Sequence, residues 1–571
     1  MSILKDFKDD VSIVLSGQAG QGIQTVEFLL TRILKIAGFN VFATKEYMSR
    51  IRGGMNSTQI RVGTKPVNAL LNRIDILIPL DKGAFTHLSD RISDDTVVLG
   101  EEHNLSDNFD RDRFLEVEFS RIASDIGNKI YSNIVAVGTI AGLLDVELEA
   151  VTNYVKRHFA SKSGDIVENN IEAAKAGLEI GNSLVHDKRI VVDITAENTE
   201  GQILLSGIEA VGLGAIAGGC NFVSSYPMSP STGLLVFLSK HSGEFGIIAE
   251  QAEDEIAAVN MTIGAWYAGA RGLVTTSGGG FALMTEGLSL AGMLESPLVI
   301  HLAQRPGPAT GLPTRTEQAD LELALYAGHG EFPRLILAPG TLQDAFYLTQ
   351  KAFNIADKCQ VPVFILTDQY FVDSYYNTDA FDISKIQNEN QIVKTKKNYR
   401  RYELTKNGAS PRGIPGYGDG LVSVDSDEHD EEGHITEDID LRVRMVDKRL
   451  KKLERVKDES LPPELIGTDD YKYLLVCWGS TFNVAKEALE HINNDKVSLL
   501  HVKQVYPLPQ QTTEFLSRAE KTVMIEGNAT GQLAKLVKLR TGFEFEHKIL
   551  KYNGLAFSVE EIVEEVKKVL D

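Results

Sequence analysis

Short apolar runs rich in β-branched residues recur through most of the chain, each followed by a turn and by apolar residues at helical spacing. The first run covers residues 11–16 and leads into a glycine-rich turn, residues 17–22. Beyond the turn, Val26, Leu29 and Ile33 repeat with the period of a helix. Strand, glycine turn and helix in that order open an α/β unit, so the pattern predicts an α/β fold built on parallel sheets.

The same pattern returns twice further along. Strand-like runs cover residues 273–276, 298–302 and 361–366 in a second block, and residues 473–478, 497–502 and 521–525 in a third. We predict three parallel-sheet α/β domains, at residues 1–190, 195–390 and 469–571. Residues 391–468 lack apolar periodicity and carry an acidic run and a basic helical stretch, so we predict an irregular linker there.

Composition excludes several classes of protein. Of 571 residues, 43% are hydrophobic, which is too many for a disordered chain. The net charge of -21 argues against a nucleic-acid partner, which would need a basic face. Three widely spaced cysteines without a CxxC pair exclude a disulfide scaffold, a zinc ribbon and a self-contained iron–sulfur cluster. With a charged N-terminus and no run of about 18 apolar residues, we expect a cytoplasmic protein that does not enter a membrane.

The glycine turn formed around Gly17, Gly20 and Gly22 has two interpretations. It is either a tight strand-to-helix connection or an anion site at the helix N-terminus. A nucleotide-binding phosphate loop is excluded because Ile23 stands where that loop requires lysine. Arg50 and Arg52, beside two glycines, would add two guanidinium groups to an anion site; taken alone they form a surface turn.

Three further segments combine polar chemistry with an ordinary structural alternative. Residues 225–232 carry two prolines and several hydroxyls, which suit either a capped loop or a helix start facing a ligand. The acidic run 250–255 precedes a helical pattern, where it either only offsets the helix dipole or crowds carboxylates so that one pKa rises and a proton is shared. Arg305 follows the strand at 298–302, where a guanidinium either binds a carboxylate at the sheet edge or lies on the surface.

Two other patterns in the linker carry little functional weight. Gly418-Asp-Gly420 begins like the magnesium-diphosphate motif of thiamine-diphosphate enzymes, but no asparagine follows before Asn483. We therefore reject that motif here. His429 and His434 lie among carboxylates, and a solvated loop is favoured there over a metal site.

Four motifs together resemble the 2-oxoacid:ferredoxin oxidoreductases, which use thiamine diphosphate. They are Gly17-Gln-Ala-Gly-Gln-Gly22, Tyr226-Pro-Met-Ser-Pro230, Thr275-Thr-Ser-Gly-Gly-Gly280 and Glu526-Gly-Asn-Ala-Thr-Gly-Gln-Leu533. Their order resembles an alpha subunit with the gamma domain fused in front of it. Linker segments 408–412 and 428–434 look like the branch that acts on 2-oxoglutarate.

The resemblance implies a gamma-like domain at 1–190, a pyrimidine-binding domain at 195–390 and a transketolase C-terminal-like domain at 469–571. It implies a shared active site in an (alpha-beta)2 assembly, with thiamine diphosphate held between this chain and a beta subunit. Mg²⁺ and a [4Fe-4S] cluster are expected on beta, and no metal ligands are expected on this chain. Coenzyme A (CoA) would be the co-substrate and ferredoxin the electron acceptor.

The resemblance also assigns roles to residues. Glu253 matches the catalytic glutamate that hydrogen-bonds the aminopyrimidine ring, and Tyr226 and Pro227 match cofactor-binding positions. Ser229, Arg305 and Thr314 match positions that bind the substrate. The remaining candidates, expected on the CoA side, are Gly17, Gly20, Gly22, Arg50 and Arg52. Met228 and Ser229 replace the usual Ile and Thr of the signature, which keeps the hydroxyl but loosens the packing.

The activity implied is the reversible oxidative decarboxylation of 2-oxoglutarate with CoA to succinyl-CoA and CO2. One alternative keeps this chemistry but changes the substrate to pyruvate or a branched-chain 2-oxoacid. Another is a non-catalytic scaffold subunit that retains the fold.

Overall fold

The computed structural model describes residues 5–49, 54–106, 109–196 and 199–570. The chain divides into two compact units. Unit 1 is Met1–Leu205 with Ser374–Ala380, and unit 2 is Ser206–Asp373 with Phe381–Asp571.

In chain order, the strands are β1 Lys5–Lys8, β2 Asp10–Gln18, β3 Asn40–Glu46, β4 Met55–Gly63, β5 Ile76–Pro79, β6 Val97–Gly100, β7 Phe114–Glu116, β8 Ile190–Asp193, β9 Gln202–Ser206, β10 Phe222–Ser225, β11 Ile248–Gln251, β12 Gly272–Thr276, β13 Leu298–Gln304, β14 Leu335–Leu337, β15 Pro362–Asp368, β16 Tyr375–Asp379, β17 Glu464–Ile466, β18 Tyr473–Cys477, β19 Val497–His501, β20 Gln504–Tyr506, β21 Lys521–Glu526 and β22 His547–Leu550.

The α-helices are α1 Ile23–Ile36, α2 Gly83–His87, α3 Phe119–Ile126, α4 Ser132–Leu143, α5 Leu148–His158, α6 Gly164–His186, α7 Gly207–Ala217, α8 Thr232–Lys240, α9 Ser242–Phe245, α10 Glu255–Tyr267, α11 Gly278–Leu283, α12 Thr285–Met293, α13 Leu321–Tyr326, α14 Leu342–Cys359, α15 Gln369–Asp373, α16 Ile439–Asp458, α17 Thr481–Ile492, α18 Gln510–Arg518, α19 Gln532–Thr541 and α20 Val559–Leu570.

Unit 1 is built on an eight-stranded sheet in the order β7-β6-β5-β2-β4-β3-β16-β9. The predicted opening is confirmed: the apolar run at 11–16 lies in β2, and the helically spaced residues after the glycine turn form α1. The sheet is mixed, since β2 runs parallel to β5 and antiparallel to β4.

Strand β16 reaches this sheet from far along the sequence and lies between β3 and β9. It pairs antiparallel with β3. Within it, the Asn377 side chain accepts a hydrogen bond from the Val41 N–H at 3.1 Å and donates to the Phe39 carbonyl at 3.1 Å. The sheet of unit 1 therefore depends on residues that follow Leu205 by more than a hundred positions.

Helices α4 and α6 of unit 1 cross through glycines. A Cβ atom added at Gly138 or Gly142 of α4 would collide with the backbone of α6, and one added at Gly177 or Gly181 would collide with the backbone of α4. Because glycine carries no side chain, the two backbones approach closely enough to exclude a larger residue at the crossing.

Unit 2 contains a seven-stranded sheet in the order β11-β10-β12-β13-β15-β14-β20, parallel except for β20 at one edge. A five-stranded sheet has the order β17-β19-β18-β21-β22. The predicted strands are confirmed as β12, β13, β15, β18, β19 and β21. One core joins residues of both sheets, including Phe364 and Trp478, so boundaries at 390 and 469 stay predictions.

The segment predicted as a linker is packed into unit 2 at several points. Tyr402 and His429 are both fully buried, with ring centroids 3.8 Å apart. The interpretation of His429 as part of a solvated loop is therefore wrong, because its ring is buried against Tyr402. The surrounding carboxylates gave no indication of this contact.

An ion cluster fixes α16 of this segment to unit 2. The buried carboxylate of Glu295 pairs with Lys448 at 2.5 Å and with Lys452. Burial acts to raise the pKa of Glu295, but the charges of Lys452, Lys448 and Arg401 outweigh burial and hold this pKa below its ordinary value. No helix in the described ranges is long and apolar enough to cross a membrane.

Candidate functional site

The carboxyl ends of the parallel strands in unit 2 bring four loops to one edge of the sheet. Strands β11, β10, β12 and β13 are adjacent and parallel. The loops that leave them carry the acidic run, the Tyr-Pro segment, the glycine turn and Arg305. This edge is where open α/β sheets bind ligands.

The Tyr-Pro loop after β10 is braced from within. The Ser225 hydroxyl donates to the Thr275 carbonyl of β12 at 2.6 Å, and the Ser231 hydroxyl donates to the Met228 carbonyl at 2.7 Å. Between these braces the Tyr226 side chain is 40% exposed. Pro227 is half-buried and Ser229 is exposed. The helix predicted to start after Pro230 is confirmed as α8.

Arg305 joins this loop to the one after β13. Its guanidinium is buried, and Nη1 donates to the Ser229 carbonyl at 2.6 Å. Burial lowers the pKa of Arg305, while the charge of Asp320 acts to raise it. The structure thus brings Arg305 and Ser229 together, and it excludes the simple surface interpretation of Arg305. Thr314 is half-buried on the loop that Arg305 begins.

The acidic run after β11 divides into three environments. Glu253 is exposed in the short connection between β11 and α10. Asp254 caps α10, accepting a hydrogen bond from the Ala257 N–H at 2.7 Å. Glu255 is buried in the first turn of α10. Helix capping therefore explains Asp254, whereas the carboxylate of Glu253 is exposed to solvent at the sheet edge, where it can accept a hydrogen bond from a ligand.

The glycine turn after β12 makes room for two carboxylates. A Cβ atom at Gly278 would collide with both carboxylate oxygens of Asp320, and one at Gly280 would collide with Glu255. Burial and the charge of Glu317 raise the pKa of Asp320 to about 7, although Arg305 acts in the opposite direction. Sequence reasoning missed Asp320, because an aspartate just before a helix normally signals a cap.

Residues that directly follow two strands of the five-stranded sheet hold the far end of the Arg305 loop. The backbone N–H of Gln318 donates to the Gly527 carbonyl at 2.6 Å, and its side chain donates to the Trp478 carbonyl at 2.8 Å and accepts from the Gly527 N–H at 2.8 Å. The Asn528 side chain donates to the Gln318 carbonyl at 3.1 Å. The motif at 526–533 therefore positions the loop that carries Arg305 and Thr314.

Unit 1 contains a separate cavity of about 720 Å³ beside its own glycine turn. Gly20 and Gly22 line it, whereas Gly17 lies within β2. Lys129 and Lys162 are exposed at its wall, which also carries the carboxylate of Glu101, an acceptor of hydrogen bonds from Ser120. Gly22 caps α1 without a side-chain hydrogen bond, and the first turn of α1 contains no acidic residue. Uncapped helix N–H groups and two nearby cations suit an anionic ligand.

Arg50 and Arg52, predicted to lie on the same side, fall outside the described residues. Their place relative to the cavity stays a prediction.

Two family models match the chain. Residues 213–448 match the one described as "Pyruvate flavodoxin/ferredoxin oxidoreductase, thiamine diP-bdg", and residues 12–180 match "Pyruvate ferredoxin/flavodoxin oxidoreductase". The chain is 32% identical to a 2-oxoacid:ferredoxin oxidoreductase subunit alpha from Sulfolobus sp, over 98% of this chain and 97% of that protein. It is 31% identical to the 2-oxoglutarate synthase subunit KorA of Archaeoglobus fulgidus, over 59% of this chain and 90% of that protein.

Among solved structures, the chain is similar to the 2-oxoglutarate:ferredoxin oxidoreductase from Magnetococcus marinus with 2-oxoglutarate, coenzyme A and succinyl-CoA bound. The TM-score is 0.92 and the identity 28%, over 99% of this chain and 100% of that one.

Proposed function

Because this chain belongs to the alpha subunits of the 2-oxoacid:ferredoxin oxidoreductases, we propose that it forms half of a site that decarboxylates 2-oxoglutarate oxidatively. CoA takes the succinyl group and ferredoxin takes the electrons. The observation that carries the proposal is the sheet edge of unit 2, where loops leaving the same end of the parallel strands carry an exposed carboxylate, Glu253, and a buried guanidinium, Arg305. The choice of 2-oxoglutarate is supported by the whole-chain likeness to an enzyme described with that substrate bound.

The residues at this edge fit the pyrimidine half of thiamine diphosphate. Glu253 offers an exposed carboxylate as acceptor, and Tyr226 offers an exposed aromatic ring beside Pro227. The coenzyme supplies the electron sink for decarboxylation when it is bound. The task of Glu253 is to accept a hydrogen bond from the ring nitrogen and so hold the proton at that atom. Tyr226 and Pro227 orient the ring.

The Arg305 loop binds the carboxylate of the substrate in this proposal. A guanidinium binds a carboxylate through two parallel hydrogen bonds, and burial strengthens that attraction. Nη1 of Arg305 is fixed by the Ser229 carbonyl, so the orientation of the side chain is set before substrate arrives. The hydroxyls of Ser229 and Thr314 supply further donors.

The cavity of unit 1 fits the anionic part of CoA. Its volume of about 720 Å³ is within the range of ligand pockets. The N-terminus of α1 and the two lysines at its wall offer N–H groups and positive charge to phosphates. These features support the proposal that Gly20 and Gly22 lie on the CoA side, with Gly17 setting the course of the chain before the turn.

A beta subunit completes the enzyme in this proposal. It supplies the Mg²⁺-diphosphate half of the coenzyme site and the [4Fe-4S] cluster that passes electrons to ferredoxin, in an (alpha-beta)2 assembly. Exposure of Glu253 and Tyr226 in this chain supports a partner at that edge, since both functional side chains otherwise face solvent.

The test is an assay of the complex purified without oxygen from its own host. CoA-dependent reduction of viologen is measured with 2-oxoglutarate, pyruvate and a branched-chain 2-oxoacid in parallel. We expect reduction with 2-oxoglutarate. Reduction with pyruvate alone would agree with the family but refute the proposal that 2-oxoglutarate is the substrate. A purified complex without thiamine diphosphate would favour the scaffold alternative.

Two variants test the residue roles. Glu253→Gln should lower turnover by at least about 10²-fold without loss of the assembly, since it removes the acceptor charge. Glu250→Gln is the matched control, because it makes the same charge change on an exposed residue of β11. Arg305→Leu should raise the KM for the 2-oxoacid about 10- to 100-fold, the equivalent of one charged hydrogen-bonded contact. Unchanged kinetics in either variant would remove that residue from the mechanism.

A further inference from the structure

Helix α16 carries an apolar stripe with the heptad spacing of a coiled coil. Successive members of the stripe lie four, three, four and three residues apart; they are Ile439, Val443, Val446, Leu450 and Leu453. We call these five residues the seam. Residues at this spacing share one side of a helix and form the line along which two helices pack. The sequence of α16 is therefore typical of a helix that pairs with another helix.

The seam is not the side of α16 that packs against unit 2. The buried side is formed by four other residues: Met445, Lys448, Lys452 and Val456. In the seam, by contrast, Ile439 is 79% exposed, Val443 is 56% exposed and Leu450 is 38% exposed. Burying lysines while isoleucine, valine and leucine face solvent reverses the usual preference of these residue types. A row of exposed apolar side chains of this kind marks a contact with another molecule.

The surface beside the seam is concave. A cavity of about 390 Å³ adjoins it, since Val446 of the seam lines this cavity. Met293 at the end of α12 and Phe332 line the same cavity. A helix that lies on the seam therefore has a second apolar surface within reach.

The two borders of the seam carry opposite charges. Three exposed acidic residues each follow a seam residue directly: Asp440, Asp447 and Glu454. Arg442 directly precedes Val443 and so lies on the other border, with 53% of its side chain exposed. Arg442 pairs with Glu428, but this carboxylate also accepts two hydrogen bonds from Arg449. Glu428 therefore keeps a counter-charge if Arg442 takes a second partner.

This charge pattern is complementary to itself in one orientation. When two helices pair in parallel, a residue on the border that carries Arg442 faces the residue five positions further along the partner. Arg442 of one copy then faces Asp447 of the other, and a twofold axis forms this ion pair twice. In an antiparallel pair like borders meet, so the acidic residues of the two copies would repel each other.

We propose that the seam is a contact between two copies of this chain, which pack their α16 helices in parallel about a twofold axis. This rests on the (alpha-beta)2 assembly of the proposed function and names a surface that joins its two halves. A stable interface buries about 800 Å² on each partner, whereas one side of a 20-residue helix presents only roughly 300 Å². The seam is therefore one part of a larger twofold interface.

Cysteine cross-linking in the complete alpha–beta complex tests the pairing. A parallel contact brings Val443 of one copy against Val443 of the other. Val443→Cys should therefore give a disulfide-linked pair of alpha chains when diamide is added as the oxidant, and non-reducing electrophoresis detects it. The natural cysteines are buried and do not compete. Arg444→Cys, on an exposed side of the same helix, is the matched control and should not cross-link.

Charge reversal tests the orientation. Arg442→Asp and Asp447→Arg each place like charges opposite one another at two symmetric positions. Each should raise the concentration at which the assembly splits into alpha–beta halves by about 10²-fold, as measured by mass photometry. The double variant restores both ion pairs and should return this concentration to near its normal value.

A matched pair of apolar variants adds a second reading of the mass. Val443→Lys should also split the assembly. Leu539→Lys should not, although Leu539 on α19 is likewise exposed, at 65%.

The outcomes separate the two proposals. A natural complex that contains one alpha–beta pair and reduces viologen would refute the twofold contact and leave the activity standing. Equal cross-linking of Val443→Cys and Arg444→Cys, or a double charge reversal that fails to restore the assembly, would refute the parallel pairing of α16. A complex that splits in Val443→Lys but reduces viologen with no 2-oxoacid would support the contact and refute the proposed activity.

Discussion

Gln318→Leu tests whether the contacts with residues 526–533 set substrate binding. Gln318 is 2% exposed, and its side chain joins the Arg305 loop to Gly527 and Trp478. Leucine has similar size but no polar atoms. The Gly527 N–H would lose its acceptor, at a cost of about 1–3 kcal/mol. The Trp478 carbonyl keeps the hydroxyl of Thr481 as a donor, so its loss is about 1 kcal/mol.

The expected loss of stability is therefore about 2–4 kcal/mol. The loop that carries Arg305 and Thr314 keeps the backbone hydrogen bonds of Gln318 but loses both side-chain bonds at that end. We therefore also expect kcat/KM for the 2-oxoacid to fall by up to about 10²-fold, the effect of a displacement near 1 Å. Thermal unfolding and steady-state viologen reduction measure the two effects on the same complex.

Gln504→Leu is the matched control. Gln504 is 1% exposed, donates to the Pro507 carbonyl at 2.6 Å and accepts from the Leu461 N–H at 3.1 Å. It should lower the unfolding temperature to a similar extent but leave kcat/KM near normal. If both variants lose kcat/KM equally, the effect of Gln318 is general destabilisation, and the reasoning about the loop fails.

Three further predictions concern stability. Asp320→Asn should raise the unfolding temperature relative to the natural protein more at pH 8 than at pH 5. The Asp320 carboxyl keeps its proton to about pH 7 in the folded state but loses it near pH 3.8 in the unfolded chain, so the stability of the natural protein falls as pH rises between these two values. An equal difference in unfolding temperature at both pH values would contradict this. Glu295→Gln should cost about 3–5 kcal/mol in denaturant unfolding, because its two lysine partners stay buried without their counter-charge. Gly177→Ala should lower the unfolding temperature of unit 1, while Gly164→Ala in the same helix, with open space around it, should not.

The sequence was sufficient for the strands and helices whose signal is local. The apolar runs that form β2, β12 and β13 are buried and rich in β-branched residues. A glycine turn follows β2 and β12 within a few residues, so each signal can be recognised from a short stretch of sequence. Motif likeness also assigned Ser229 and Arg305 to one substrate site, and the structure joins these two residues by a hydrogen bond.

What could not be predicted depends on contacts between distant residues. Strand β16 is polar in sequence and is a strand only because it pairs with β3, some 330 residues earlier. Gln318 shows its importance only beside Gly527. The burial of His429 depends on Tyr402, and no local pattern signals that ring contact.

The late arrival of β16 bears on how the protein is made. A ribosome working at about 5–20 residues per second needs roughly 10–35 s to extend the chain from Leu205 to Ala380. During that interval β3 exposes the edge that β16 later covers, which is a surface open to pairing with other chains. In a fragment of residues 1–205 alone, the edge of β3 would stay uncovered, because β16 is absent. A gene fragment intended to yield the first unit should therefore carry residues 374–380 as an appended strand.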